Sequence, residues 1–354
     1  EEVAPAASAD DLEEQGEPLL EVDPLCIEVG YDLISAVGAD QPGGILDKVK
    51  GLRRQVASEL GFVLPPVRVR DNLQLGNDEY AIKLRAVRVA GSRLLRGRML
   101  ALDAGATRAI EGQKTRDPAF GLPAVWIGPE QADEARSAGY TVVDPPSVLS
   151  THLMEVIGAN APELLGREDA ARLMDHLQKT HPKAVAELVP ERMTIGEVQR
   201  VLQGLLRERV SIRDLPLIVE ALADAATRTR DTQALIESVR RSLQRTLVSP
   251  IQDPQGRVHA VALDPQLEAE LTATLADGGD GDGAATIEPG RLREVVQLIG
   301  TAVSGTGGQV CVVVGPGLRP YLASILRSQL PHTPVLSTLE IPPEVTLRAV
   351  ATVS

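Results

Sequence analysis

Histidine and cysteine are the side chains best able to hold a metal or attack a carbonyl, and this 354-residue chain carries five of one and two of the other. His152, His176, His181, His259 and His332 have no H-E-x-x-H spacing, and Cys26 and Cys311 stand too far apart in sequence to form a local metal pair. Ser150, Thr151 and His152 are consecutive. Consecutive helical residues point in different directions, so this run is not a catalytic triad. No G-x-S-x-G elbow occurs either. Residues 312–320, VVVGPGLRP, follow an apolar run in the manner of a phosphate loop. They lack the third glycine of a dinucleotide fingerprint and the GK[ST] of a P-loop, and read as a tight turn from strand to helix. In DGGDGDGAATIE (277–288), Asp277 and Glu288 have calcium-loop spacing. The third and fifth positions are Gly279 and Gly281, without side-chain oxygens, and Asp282 stands where glycine is needed, so a surface loop is expected. No metal, no cofactor and no enzymatic activity is expected of these residues.

The remaining candidate is the stretch 112–128, GQKTRDPAFGLPAVWIG. It holds Phe120, one of only two Phe, and Trp126, the single Trp. Asp117-Pro118 and Gly121 are turn chemistry and favour an irregular loop. Phe120 is then either a plug in the core or an exposed anchor, and Asp117 either caps a turn or meets a partner.

The elements that position these residues follow from the apolar pattern. Aromatics make up 2% of the chain, so its core must be aliphatic. At roughly 150 residues per domain the length suggests two or three domains. A net charge of -13 argues against nucleic acid and anionic membrane surfaces as direct ligands. Cys26 and Cys311 each lie in an apolar run, which fits buried reduced thiols of a cytosolic protein better than a disulfide. No run has the length of a transmembrane helix, no signal peptide is evident, and a first residue of Glu suggests a fragment or processed product.

Residues 1–22 are acidic and rich in Ala, Pro and Ser, the composition of a linker. A strand is predicted over 24–34, a helix over 43–60 closed by Gly61, and strands over 67–69 and 81–89. Residues 96–144 read as a small α/β unit inserted in this first region, with strands at 99–102, 124–127 and 140–143 and a helix at 130–138. A helix carrying Thr151 and His152 is predicted to start at Ser147. From 162 to about 248 the pattern is wholly helical, with a capping box at Thr194 and Glu197 and an N-cap at Asp231. The last region returns to mixed structure: strands at 258–263, 310–314 and 335–339, helices at 267–275, 292–303 and 320–329, and a final βαβ order.

Six runs in this order resemble the cytoplasmic domain of the flagellar type III export-gate family, the FlhA family. They are IEVGYDLI (27–34), RVRDN (68–72), KTRDPAFGLPAVWI (114–127), GYTVVDPPSVLSTHL (139–153), ELLGRED (163–169) and SIRDLPLIVEALAD (211–224). The injectisome export gates share this architecture and are the alternative assignment, but the DPAFGL run is more like the flagellar branch. A nucleotide-binding enzyme built on Gly315–Gly317 is the rival from another class.

The resemblance implies an α/β and α+β multidomain fold of four subdomains. The first would span 23–95 and 145–161, and the second, a small ferredoxin-like unit inserted in it, 96–144. The third would be all-helical over 162–248 and the fourth α/β over 249–354, with 1–22 as a linker touching a neighbouring subunit. It further implies an N-terminal transmembrane half, a ring of nine subunits below the inner membrane, and a non-enzymatic docking role. Expected partners are export chaperone–substrate complexes, the ATPase complex and the substrate-switch gate protein. The family's chaperone-binding hollow lies between the first two subdomains. It maps onto Asp117, Phe120 and Thr151, with Leu102 and Leu122 lining it.

Overall fold

The computed structural model describes residues 22–37, 44–103, 105–277, 288–306 and 308–354. The expected linker, save Val22, and the Gly/Asp-rich loop over 278–287 lie outside the described residues. The chain divides between Leu164 and Leu165 into two compact units.

The first unit holds two sheets. β1 (Leu25–Val29), α1 (Tyr31–Val37), α2 (Ile45–Glu59), β2 (Val67–Asp71), β3 (Glu79–Leu84) and β4 (Val87–Arg93) give one sheet of order β2-β1-β3-β4. Only β1 and β2 run parallel. Helix α2 turns Ile45, Val49, Leu52 and Val56 inward, as its spacing predicts, and Gly61 at φ 88 ends it with an N–H bond to the Val56 carbonyl.

Two predicted strands in this region need correction. The run 24–34 is a strand only to Val29. The chain then folds back at Gly30, where a Cβ would stand 2.0 Å from the Gly76 carbonyl oxygen, and Tyr31 begins a helix. Over so few residues, alternation and one helical face look alike. The run 81–89 is a hairpin, turned by Arg85 and Ala86 at φ 44 and 68. Left-handed turns normally advertise themselves through Gly or Asn, and this one does not.

The second sheet comprises β5 (Met99–Leu102), β6 (Gln113–Arg116), β7 (Pro123–Ile127) and β8 (Thr141–Val143), with α3 (Ala132–Ser137) before β8. The order β6-β7-β5-β8 is antiparallel throughout, as in a ferredoxin-like unit, but the connection 103–112 holds no helix among its described residues. Ala101, Val125, Ile127, Ala135, Ala138 and Tyr140 form its small core. The stretch 112–128, expected as an irregular loop, is mostly the β6–β7 hairpin. β6 reads QKTR, is largely exposed and has no apolar alternation, which is why it was not legible. Helix α4 (Pro145–Ala159) starts two residues before the predicted Ser147, because Asp144 is the N-cap and accepts the Ser147 N–H. It packs against both α2 and β5, and α5 (Ala161–Leu164) follows.

The second unit begins with helices α6 (Arg167–Gln178), α7 (Pro182–Leu188), α8 (Ile195–Arg207), α9 (Leu215–Ala225), α10 (Thr232–Ser242) and α11 (Gln244–Val248). The capping box at Thr194 and Glu197 and the Asp231 cap are both present, with bonds of 2.7 Å and 2.6 Å. β9 (Arg257–Leu263), α12 (Pro265–Asp277), α13 (Pro289–Gly305), β10 (Cys311–Val314), α14 (Arg319–Leu326), β11 (Val335–Ser337) and β12 (Thr346–Val353) follow. Their sheet is parallel, of order β11-β10-β9-β12. β12 was not legible in the sequence: it is a mostly exposed edge whose register shifts between Ala349 and Ala351, so its alternation breaks. Cys26 and Cys311 are both buried and free.

Candidate functional site

The hairpin β6–β7 pairs Gln113 with Trp126 and Arg116 with Pro123, leaving residues 117–122 as its tip. Asp117 organises that tip. Its N–H donates to the Leu122 carbonyl at 2.8 Å, its carbonyl accepts the Gly121 N–H at 2.9 Å, and its Oδ2 accepts the Phe120 N–H at 2.7 Å. Arg116 Nη1 donates to the Gly121 carbonyl at 2.8 Å, and Gly121 sits at φ 69, a conformation glycine adopts without strain. Asp117 is 5% exposed, whereas Phe120 is 52% and Leu122 39% exposed. Of the two roles left open by the sequence, Asp117 fills that of turn cap and Phe120 does not plug the core.

Thr151 and Leu102 lie on the elements beside the tip. Thr151 is an exposed residue of α4, and Leu102 is half-buried on β5, opposite Ala124 and Thr141. Since α4 packs against β5, the helix carrying Thr151 and the strand carrying Leu102 are neighbours. The Asp103 N–H donates to the Pro123 carbonyl at 2.9 Å, tying the end of β5 to the start of β7.

Sequence reasoning missed what lies beneath. His152 is buried, and its Nδ1 is 2.6 Å from the hydroxyl of Tyr80 on β3, the two rings meeting edge to face. Burial pushes the His152 pKa below its ordinary value, against the opposing pull of Asp117 and Glu155. Burial, reinforced by the charge of Asp117, pushes the Tyr80 hydroxyl well above its usual range. The signal was present: His152 interrupts the apolar stripe Val148, Leu149, Leu153, Val156, Ile157 of α4, where an aliphatic residue belongs. Its partner lies 72 residues away and left no trace in the sequence.

Among the described residues no group of three His, Cys, Asp or Glu side chains is placed to hold a metal. At the turn after β10, the Gly315 N–H that would cradle a phosphate already donates to Glu268 Oε1 at 2.6 Å. A carboxylate in that position repels an anion, which disfavours a phosphate at this turn.

The FHIPEP family model matches residues 1–346. The chain belongs to the FHIPEP family. Its relatives include the flagellar biosynthesis protein FlhA of Caulobacter vibrioides, 36% identical over 352 residues, covering 98% of this chain and 50% of that protein. FlhA of Borreliella burgdorferi is 34% identical over 339 residues, covering 95% of this chain and 48% of that protein. The chain thus spans about half the length of these relatives. Among solved structures, the Chlamydia pneumoniae CdsV protein superposes with a TM-score of 0.84 at 21% identity, over 94% of this chain and 99% of that one. CdsV in its complex with CdsO gives 0.80 at 21% identity, over 94% and 98% of the two chains. The nonameric EscV cytosolic domain from a type III secretion system gives 0.75 at 20% identity, over 94% and 97%. At that identity the structures speak for the fold, which is the mixed helix-and-sheet fold of export-gate cytoplasmic domains. Among the described residues no helix is long and apolar enough to cross a membrane.

Proposed function

We propose that this chain is the cytoplasmic part of a flagellar type III export gate, and that its β6–β7 hairpin tip docks export chaperones carrying their substrates. The flagellar branch is favoured because the relatives at 34% and 36% identity are flagellar proteins, whereas the injectisome structures stand at 20–21%. In this reading the four expected subdomains share the two compact units, and nine copies form a ring, a number supported by the nonameric EscV domain. The ring would lie on the cytoplasmic face of the inner membrane. The CdsV–CdsO complex supports a further partner among the export components. No catalysis is assigned to the chain.

One observation carries the docking reading. Phe120, one of two Phe in the chain, is half exposed on a tip that Asp117 and Gly121 hold in a fixed shape. Burying the half of this ring that is still exposed contributes about 0.8–1.5 kcal/mol, half the value for a fully exposed side chain. Leu122 and Leu102 extend the apolar surface, and the exposed Thr151 adds a hydroxyl beside it. Asp117 contributes by shaping the tip, since it is almost fully covered by its own loop. Association entropy offsets much of this gain, leaving weak, reversible binding suited to a station that must release each cargo.

Calorimetric titration of the chain with a flagellar chaperone–substrate complex tests the proposal. Phe120→Ala is expected to weaken binding several-fold, up to about ten-fold, the equivalent of 1.4 kcal/mol. Unchanged affinity in that variant, with the fold intact by circular dichroism, would remove the tip from the docking surface. Binding of injectisome chaperones in preference to flagellar ones would favour the other branch.

A further inference from the structure

We infer that β6 is a second arm of the docking surface: an open strand edge that takes an extended acidic segment of the chaperone–substrate complex as one more strand of its sheet. The inference rests on the docking reading and adds to the tip a backbone site with its own preference for charge.

The open edge follows from register. In the order β6-β7-β5-β8, β6 has a strand on one side only, and its Gln113, Lys114 and Arg116 are exposed. Along an antiparallel pair, residues bonded to the partner strand alternate with residues whose N–H and C=O turn outward. The Asp117 N–H donates to the Leu122 carbonyl at 2.8 Å. Counting back from that pair puts Thr115 and Gln113 in the bonded class and Lys114 and Arg116 in the outward one. Pro123, with no N–H to give, stands opposite Arg116 and agrees with the count. Lys114 and Arg116 therefore each present a donor and an acceptor that β7 does not use. The Thr115 hydroxyl lies 3.5 Å from the Arg116 carbonyl, too far to satisfy it.

The side chains decide what such a strand must carry. Residues directly opposite one another share a face of the sheet. Lys114 and Arg116 oppose Val125 and Pro123, whereas Thr115 opposes Ala124, which in turn opposes Leu102. An added strand thus meets two cations on one face. On the other it continues the row Thr115, Ala124, Leu102, whose last member belongs to the proposed docking surface. In a chain of net charge -13, neither cation is paired with a carboxylate among the described residues. Arg116 spends one of its five donors on the Gly121 carbonyl, which ties the end of the edge to the tip bearing Phe120. Cations on an edge strand keep it from pairing with its own kind. A second copy laid antiparallel on β6 would set Lys114 and Arg116 against each other, and like charges directly opposite are destabilising. The same two charges attract an extended segment with Asp or Glu at alternate positions and uncharged residues between them.

Amide hydrogen exchange at Lys114 and Arg116, compared with and without a flagellar chaperone–substrate complex, tests this. Both amides should exchange about ten-fold more slowly in the complex, the size of one net hydrogen bond, while the Thr115 amide, already bonded to β7, changes little. Two variants separate backbone from charge. Lys114→Gln keeps the outward N–H and loses the charge, and should bind several-fold more weakly with less dependence on salt. Lys114→Pro also removes an N–H that the β6–β7 ladder does not use, and should bind more weakly still. Unchanged exchange at Lys114 and Arg116 in a complex that forms overturns the inference. So does equal affinity of the two variants when both keep the amides of β7 protected. Should Lys114→Pro lose that protection, exchange in the unmodified chain decides alone. Binding that survives Phe120→Ala with Lys114 and Arg116 still protected would refute the tip and leave the added strand standing. Binding that Phe120→Ala abolishes, with those two amides unprotected in the unmodified complex, would do the reverse. No binding by the unmodified chain overturns both.

Discussion

At the scale of single residues, Asp117 carries the most consequence. It is buried, its carboxylate accepts the Phe120 N–H, and its backbone closes the tip at both ends. Asp117→Ala should therefore weaken partner binding through disorder of Phe120 and destabilise the first unit by about 1 kcal/mol, as loss of such a cap does. Asp117→Asn keeps an acceptor oxygen in place and should retain most of the tip's shape. Exchange rates at the Phe120 amide separate the two variants, and equal behaviour would mean that the negative charge, not the cap, is what matters. The sequence marked this turn through Asp117-Pro118 and Gly121, and its scarcity of aromatics singled out Phe120. It left two roles open for each because exposure is a tertiary property. Tyr80 was invisible, since nothing local to a strand reports a histidine bonded from another element.

At the scale of elements, legibility depended on the length and strength of the apolar period. Helices α2, α6, α8, α9 and α10 present a buried stripe over two turns or more and were readable, as were the caps at Thr194 and Asp231. Two exposed edge strands were not: β6 and β12 bury little, so no core face shows as alternation in their sequences. The β3–β4 hairpin was missed for a different reason, the left-handed backbone at Arg85 and Ala86 with no glycine to betray it. Ala86→Gly should relieve strain at φ 68 and stabilise the chain by up to about 1 kcal/mol, less the entropy glycine adds to the unfolded state. A denaturant midpoint that falls would contradict this. Gly30 is the converse case. Gly30→Ala would place a Cβ 2.0 Å from the Gly76 carbonyl oxygen and should be destabilising well beyond the propensity difference.

At the scale of the whole molecule, the two units respond to acid through different chemistry. In the first, the folded His152 pKa is lowered, so the unfolded chain binds the proton more readily and stability is lost as pH falls below about 6.5. In the second, Arg240 and Arg319 are buried, and Glu208 joins them. Arg319 is bonded by Glu208 and Glu237, and Arg240 donates to Glu340 at 2.6 Å. Burial alone would raise the Glu208 carboxyl, but Arg240 and Arg319 outweigh it and hold it below its usual value. That contribution is present above the unfolded carboxylate value of about 4.3 and disappears below it. Acid titration followed by residue-resolved NMR should show amides of the first unit losing protection at higher pH than those of the second. Simultaneous loss would contradict the assignment. Arg319→Ala removes the buried guanidinium shared by the half-buried Glu208 and Glu237, leaving Glu208 with Arg240 alone, and should cost about 3 kcal/mol, read from chemical denaturation. None of this network was legible, because its members lie up to 111 residues apart in sequence.

The central claim is that an exposed phenylalanine on a fixed hairpin tip receives export chaperones. Calorimetric titration with a flagellar chaperone–substrate complex, comparing the unmodified chain with Phe120→Ala at neutral pH, tests it most directly. Measurable binding is expected of the former and several-fold, up to about ten-fold, weaker binding of the latter. Equal binding by two equally folded proteins would contradict it.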